Sequence, residues 1–186
     1  SPGPHAAKHI KDLSSLHVLS VVHCTVCRTV TAAKLPDMRF SIKKFLDLNC
    51  RWNESALAED DFHRLCKRHK ITVLEMPLRV SGFYYSLLGR HYIAINSKLP
   101  PPNKLFVMFH EFAHYLIHAP DHGATANFHG IGRRTRKEFE ADVFAACAII
   151  PRPLVESRTA HELIELEGVP EDLVRQRLEF YASLSI

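Results

Sequence analysis

The apolar rhythm of this chain changes twice along its middle. Ile71-Thr72-Val73-Leu74, Gly82 to Leu87 and His91 to Ile95 are short runs rich in β-branched and aromatic residues, the composition that suits a pleated, half-buried strand. Gly89 with Arg90 marks a hairpin turn between the last two. Ahead of the strands, a helical pattern flanked by Glu54-Ser55 and Asp60-Asp61 runs to about Lys67 and gathers Leu57, Phe62, Leu65 and Cys66 on one face. After them, Asn103 to His118 contains no proline or glycine, follows Pro100, Pro101 and Pro102, and is apolar on nearly every side. That predicts a buried helix of about four turns. A second helical run opens at Glu138 and stops at Pro151. Between the two, Ala119 to Thr135 carries Pro120, Gly123, Gly130 and Gly132 and reads as a loop bordering a cleft. Ala160 to Glu167, a turn at Gly168 and a helix after Pro170 complete the chain as a helix-turn-helix-like pair.

These elements predict an α+β fold, with a small antiparallel sheet packed beside the Asn103–His118 helix and a helical C-terminal part. Residues 1–54 read as an N-terminal extension of open role; the first methionine is Met38, and for 1–37 a genuine extension, a translated upstream region and a stretch foreign to the native structure are alternatives. Residues 55–157 form the expected core, and 158–186 a helical segment packed on it.

Composition narrows the classes. No stretch approaches the roughly 20 apolar residues that cross a bilayer, and Ser1-Pro2-Gly3-Pro4-His5 lacks the form of a signal peptide, so a soluble protein with no membrane partner is predicted. Five cysteines, an odd number, suggest a reducing compartment, the cytoplasm, rather than a disulfide framework. Cys50, Cys66 and Cys147 sit among apolar neighbours as small core residues, and Cys24-Thr25-Val26-Cys27 is a lone C-x-x-C. A net charge of +4 does not argue for nucleic acid. Arg133 to Lys137 is a local basic cluster, either a solvated loop or a contact for an acidic stretch of a protein substrate. The helix after Pro170 opens with Glu171-Asp172, acids that repel phosphate, so it is expected to pack or to dock a partner rather than to read DNA.

The buried helix carries the chemistry. His110-Glu111-Phe112-Ala113-His114 reads H-E-x-x-H, and two histidines four apart on a helix turn their imidazoles to one side, where both reach one metal ion. Glu111, on the flank of that pair, is placed to act as general base on a water activated there. A catalytic zinc site needs a third protein ligand and an open position. Glu138 can supply the ligand, and Asp142, one turn on, can accept a hydrogen bond from the far nitrogen of a ligand histidine. His118 lies a further turn along, too far to share the metal with His110. It is expected at the rim with His122 and His129, and Pro120 stands where a metzincin would need histidine. His122, His129, Tyr84 and Tyr85 are alternatives for stabilising an oxyanion.

His110-Glu111-Phe112-Ala113-His114 followed by Glu138-Phe139-Glu140-Ala141-Asp142-Val143-Phe144-Ala145 and Pro151, with the strand Tyr92 to Ser97 leading into the helix, resembles the ImmA/IrrE family of zinc peptidases over roughly Ser55 to Tyr181. The resemblance implies a zincin-like fold, zinc (with manganese as another activating metal) bound by His110, His114 and Glu138, Glu111 as the catalytic acid/base and Asp142 supporting a ligand histidine. It also implies a protein substrate, a helix-turn-helix transcriptional repressor cut at one site in a regulatory step. The alternative is a regulatory module that docks on a repressor or antitoxin without cutting it.

Overall fold

A computed structural model describes residues 37–119, 125–126 and 135–186; the Cys24/Cys27 pair, His122, His129 and the arginines at 133 and 134 lie outside them. Helices α1 (Arg39–Leu46) and α2 (Glu59–Arg68) precede strands β1 (Ile71–Met76), β2 (Gly82–Leu87) and β3 (Arg90–Asn96). Helix α3 (Pro101–His118) follows, then the two-residue strand β4 (Thr125–Ala126), α4 (Arg136–Ile149), α5 (Arg152–Ser157), α6 (Ala160–Glu165) and α7 (Glu171–Leu184). Among the described residues no helix is long and apolar enough to cross a membrane.

Local chemistry accounts for the helix boundaries. Glu59, Asp60 and Asp61 occupy the first turn of α2 and Lys67 and Arg68 its last, each matched to the helix dipole. Prolines fill the first positions of α3, where no backbone N–H is needed. Thr135 caps α4 by accepting from the Glu138 N–H at 3.3 Å. On α6, Thr159 and Glu162 form a reciprocal capping box, with Glu162 accepting from the Thr159 N–H at 2.7 Å.

The sheet runs in the order β1-β3-β2-β4 and is mixed rather than wholly antiparallel. β2 pairs antiparallel with β3 and with β4, whereas β1 lies parallel to β3, from Ile71 opposite His91 to Met76 opposite Asn96. The segment from Pro77 to Ser81 joins β1 to β2, which are not neighbours in the sheet, because β3 lies between them. Asn96 clasps that segment, its side chain donating to the Leu78 carbonyl at 3.1 Å and accepting from the Leu78 N–H at 3.3 Å. The β2–β3 turn falls on Leu88-Gly89, one residue earlier than the sequence suggests, with φ of 50° and 72°, the paired left-handed geometry of a type I′ turn. Arg90 is already paired with Leu87.

Close approach sets where the sheet meets α3. A Cβ built on Gly82 would lie 2.6 Å from Val107 Cγ1 and 3.0 Å from the Ala94 carbonyl, so only glycine lets β2 lie this near the helix. α3 packs in turn on α4, whose Ala141, Ala145, Ala146 and Ala148 are fully buried; small side chains permit the short spacing that carries Glu138 toward the α3 histidines.

The segment ahead of Ser55, whose role the sequence leaves open, joins this core from Met38 on. Met38, Phe45, Leu48 and Trp52 are buried, the Phe45 ring stands 4.7 Å from Phe144, and the Trp52 Nε1–H donates to the Phe144 carbonyl at 2.9 Å. Burial pushes the Cys66 thiol up to about 12 and that of Cys147 to about 11, which suits small apolar core residues rather than reactive thiols. The turn between α6 and α7 places Gly168 at φ 66°. α7 is tied to the end of α4 by the fully buried Arg177, which donates to the Ile150 carbonyl at 2.7 Å and to Asn53 Oδ1 at 3.0 Å.

Candidate metal centre

His110, Glu111 and His114 lie on the buried stretch of α3, and Glu111 and His114 are fully enclosed. The Nε2 atoms of the two histidines are 3.0 Å apart. The Glu138 carboxylate faces both, at 3.4 Å from His110 Nε2 and 3.5 Å from His114 Nε2. Three donors at zinc bond lengths of about 2.0–2.1 Å in tetrahedral directions would lie about 3.3 Å from one another. The histidine nitrogens come close to that spacing, each faces a different oxygen of Glu138 at 3.4 and 3.5 Å, and one donor atom from each of the three residues lies within 4.8 Å of the other two, so the residues fit the metal. A second group, Glu59, His63 and Glu75, is exposed, and Lys104 already pairs with its carboxylates at 3.6 and 2.8 Å.

Each histidine is held from behind. His110 Nδ1 is 3.0 Å from Asp142 Oδ1, the contact expected from the spacing of Glu138 and Asp142 on α4. The other oxygen of Asp142 accepts from Gln176 Nε2 on α7 at 3.1 Å. Burial by itself would lower the His110 pKa, but the hydrogen bonds to Asp142 and Glu138 and the nearby Glu111 charge more than reverse it, raising it to about 9. Without metal, this ring therefore carries a proton near neutrality.

His114 is backed by a different set. Its Nδ1 is 3.1 Å from Nδ1 of His118, whose Nε2 lies 2.9 Å from Glu140 Oε2. Glu140 Oε1 accepts from Arg136 Nε at 2.8 Å, and Arg136 Nη2 reaches the Asp37 carbonyl at 2.9 Å. His118, expected at the rim, is half-buried, with only 6% of its side chain exposed; the loop pattern that begins at Ala119 does not extend to it, and α3 runs through it. Burial lowers its pKa even against the pull of Glu140, which favours the neutral ring. Burial alone would raise the Glu140 carboxyl, but His118 and Arg136 outweigh it and hold it below the usual range.

The structure thus brings His110, Glu111, His114, Glu138 and Asp142 together. It directs Glu140 away from the three donors, toward His118 and Arg136. Tyr84 is spent elsewhere, its hydroxyl 2.9 Å from His91 Nδ1, and Tyr85 stacks on Tyr92 at 4.8 Å. Sequence reasoning did not find Gln176, for which no local spacing speaks. The link between His114 and His118 was visible as a second four-residue step along one helix face. A cleft of about 390 Å³ opens on His110, Glu111 and Glu138. Phe106, whose ring is 6.0 Å from that of His110, and Leu173 of α7 contribute to its apolar walls.

A comparison with curated proteins found no match. The family model for Peptidase_M78, the IrrE N-terminal-like domain, matches residues 66–179, more than half of the chain, and its span contains α3, α4 and the five residues gathered above. The chain belongs to the Peptidase_M78 family of IrrE N-terminal-like domains, metallopeptidases of zincin-like fold.

Proposed function

We propose that this protein is a zinc-dependent endopeptidase that cuts a helix-turn-helix transcriptional repressor at one site, in a regulatory step in the cytoplasm. The observation that carries the catalytic half is the convergence of His110 Nε2 and His114 Nε2, 3.0 Å apart, on the Glu138 carboxylate, whose two oxygens stand 3.4 and 3.5 Å from them, with the buried Glu111 lining the same cleft. His110, His114 and Glu138 would hold zinc, or manganese in its place, and the bound ion would supply Lewis acidity toward the scissile carbonyl and the attacking water. Glu111 takes the proton from that water as its oxygen attacks and delivers it to the leaving nitrogen as the C–N bond breaks. Asp142 keeps the His110 ring turned so that Nε2 faces the site.

The repressor rests on the family resemblance, and the cytoplasm on cysteine usage. Residues 55–157 serve as the catalytic core. Residues 158–186 pack on it and border the cleft through Leu173 and Gln176, a position suited to selecting a protein partner. A second reading is a docking module that holds a repressor or antitoxin without cutting it. Glu111 disfavours it, because binding alone needs no carboxylate at that position.

The experiment is intact-mass analysis of the helix-turn-helix protein encoded beside this gene, after incubation with zinc- or manganese-loaded protein and with Glu111→Gln. A single cut by the wild type, reduced by about 10²–10⁴-fold in Glu111→Gln with zinc retained, is the expected outcome. A stable complex with no cut would support the docking module.

A further inference from the structure

We propose that His118 and Glu140 are positioning residues for His114, fixing its tautomer through a buried relay so that Nε2 presents a bare lone pair to the metal. The inference rests on the metallopeptidase reading only in taking His114 as a ligand.

The direction of the relay follows from what each group can do. An ionised carboxylate only accepts. Glu140 takes a hydrogen bond from Arg136 Nε at 2.8 Å on one oxygen, so its other oxygen, 2.9 Å from His118 Nε2, must receive the Nε2–H. In a neutral imidazole one nitrogen donates and the other accepts, so His118 Nδ1 is an acceptor. It lies 3.1 Å from His114 Nδ1, which therefore carries the hydrogen. Nε2 of His114 is then the lone-pair nitrogen, and it is the atom that faces Glu138 and His110. The opposite tautomer would set two lone pairs 3.1 Å apart at a part-buried site with little room for water, since the His118 side chain is 6% and that of His114 1% exposed. Arg136 anchors the far end, and its grip on the Asp37 carbonyl ties the relay to the segment leading into α1.

The relay predicts that position 118 needs an acceptor, not a particular shape. The test compares His118→Gln with His118→Met in the full chain. The two side chains are similar in length, but only the glutamine amide oxygen can accept the His114 Nδ1–H. Zinc affinity is read by competition with a chromophoric chelator, and ligand geometry by the d–d spectrum of the cobalt-loaded protein, neither of which needs turnover. His118→Met and Glu140→Ala should each lose about 10- to 100-fold in zinc affinity and shift the cobalt bands. His118→Gln should return to within about threefold of wild type, and His118→Met/Glu140→Ala should be no weaker than the poorer single variant, because both act through one hydrogen bond.

Equal affinities for the Gln and Met variants, whether both unchanged or both reduced, would overturn the relay, as would additive losses in the double variant. Thermal melts on each variant separate lost ligand orientation from lost fold. Wild-type protein that binds no zinc would remove the metal reading and the relay together. Zinc binding without any peptide cleavage would overturn the peptidase reading alone, while the Gln/Met contrast would still decide the relay.

Discussion

The two histidines of the centre sit one helical turn apart on α3, yet they are supported in opposite ways. His110 leans directly on a carboxylate, Asp142 at 3.0 Å, and its pKa is raised to about 9. His114 leans on a second imidazole, with the carboxylate of Glu140 one ring further out. A carboxylate in direct contact pulls the imidazole toward its charged form, which must lose a proton before a metal can bind. A relayed carboxylate fixes orientation while keeping its charge at a distance. The His110 side of the centre is thus coupled to pH through Asp142, and the His114 side is held by the relay proposed above.

Glu138 is where the two sides meet, so its loss gives the largest effect. Glu138→Ala should release stoichiometric zinc altogether, measured by elemental analysis after dialysis, whereas Glu140→Ala should weaken binding without abolishing it. Zinc retained at full occupancy in Glu138→Ala would mean that the third ligand is another carboxylate, and the two-sided description would fail.

Asp142→Ala should lower zinc affinity by about 10- to 100-fold and also change its pH dependence. The sign follows from His110: burial opposes its protonated form, but Asp142 and Glu138 overcome burial and raise its pKa to about 9. Below that value the wild-type ring must release a proton to bind, so affinity should climb about tenfold per pH unit from 7 to about 9 and then level. Removing Asp142 should bring the levelling point down. Affinity that levels at the same pH in both proteins would show that the His110 proton is not held by Asp142.

The five residues of the centre could be found from the sequence because each lies on one of two helices at steps of three or four, so short-range periodicity records their geometry: His110 to His114, and Glu138 to Asp142. The strands were equally plain from their β-branched and aromatic runs. Their order was not, because nothing within Pro77 to Ser81 says that β3 will slip between β1 and β2 and align parallel with Ile71 to Met76. The burial of Phe45 and Trp52 was hidden for the same reason, since their partner Phe144 lies far along the chain, 92 residues from Trp52. His118 was visible but misplaced, because its meaning depends on Glu140, a residue from another helix.

Gln176 gives the smallest expected effect and the finest test of the comparison. It is the described link from α7 to the His110 side, donating to Asp142 at 3.1 Å, and it stands 34 residues from that partner. Asp142 already projects from a well-packed α4 whose start is capped by Thr135, so its orientation should depend largely on its own helix. A hydrogen bond at a half-buried site is worth about 1 kcal/mol, a factor of about five. Gln176→Met, which keeps most of the bulk bordering the cleft, should therefore cost no more than about fivefold in zinc affinity by chelator competition and leave His118→Met losses unchanged when combined. A loss as large as that of Asp142→Ala would mean that the C-terminal helix, not α4, sets the His110 side. In that case a partner pressing on α7 could change metal affinity through this one amide, whereas the relay behind His114 would carry no such signal.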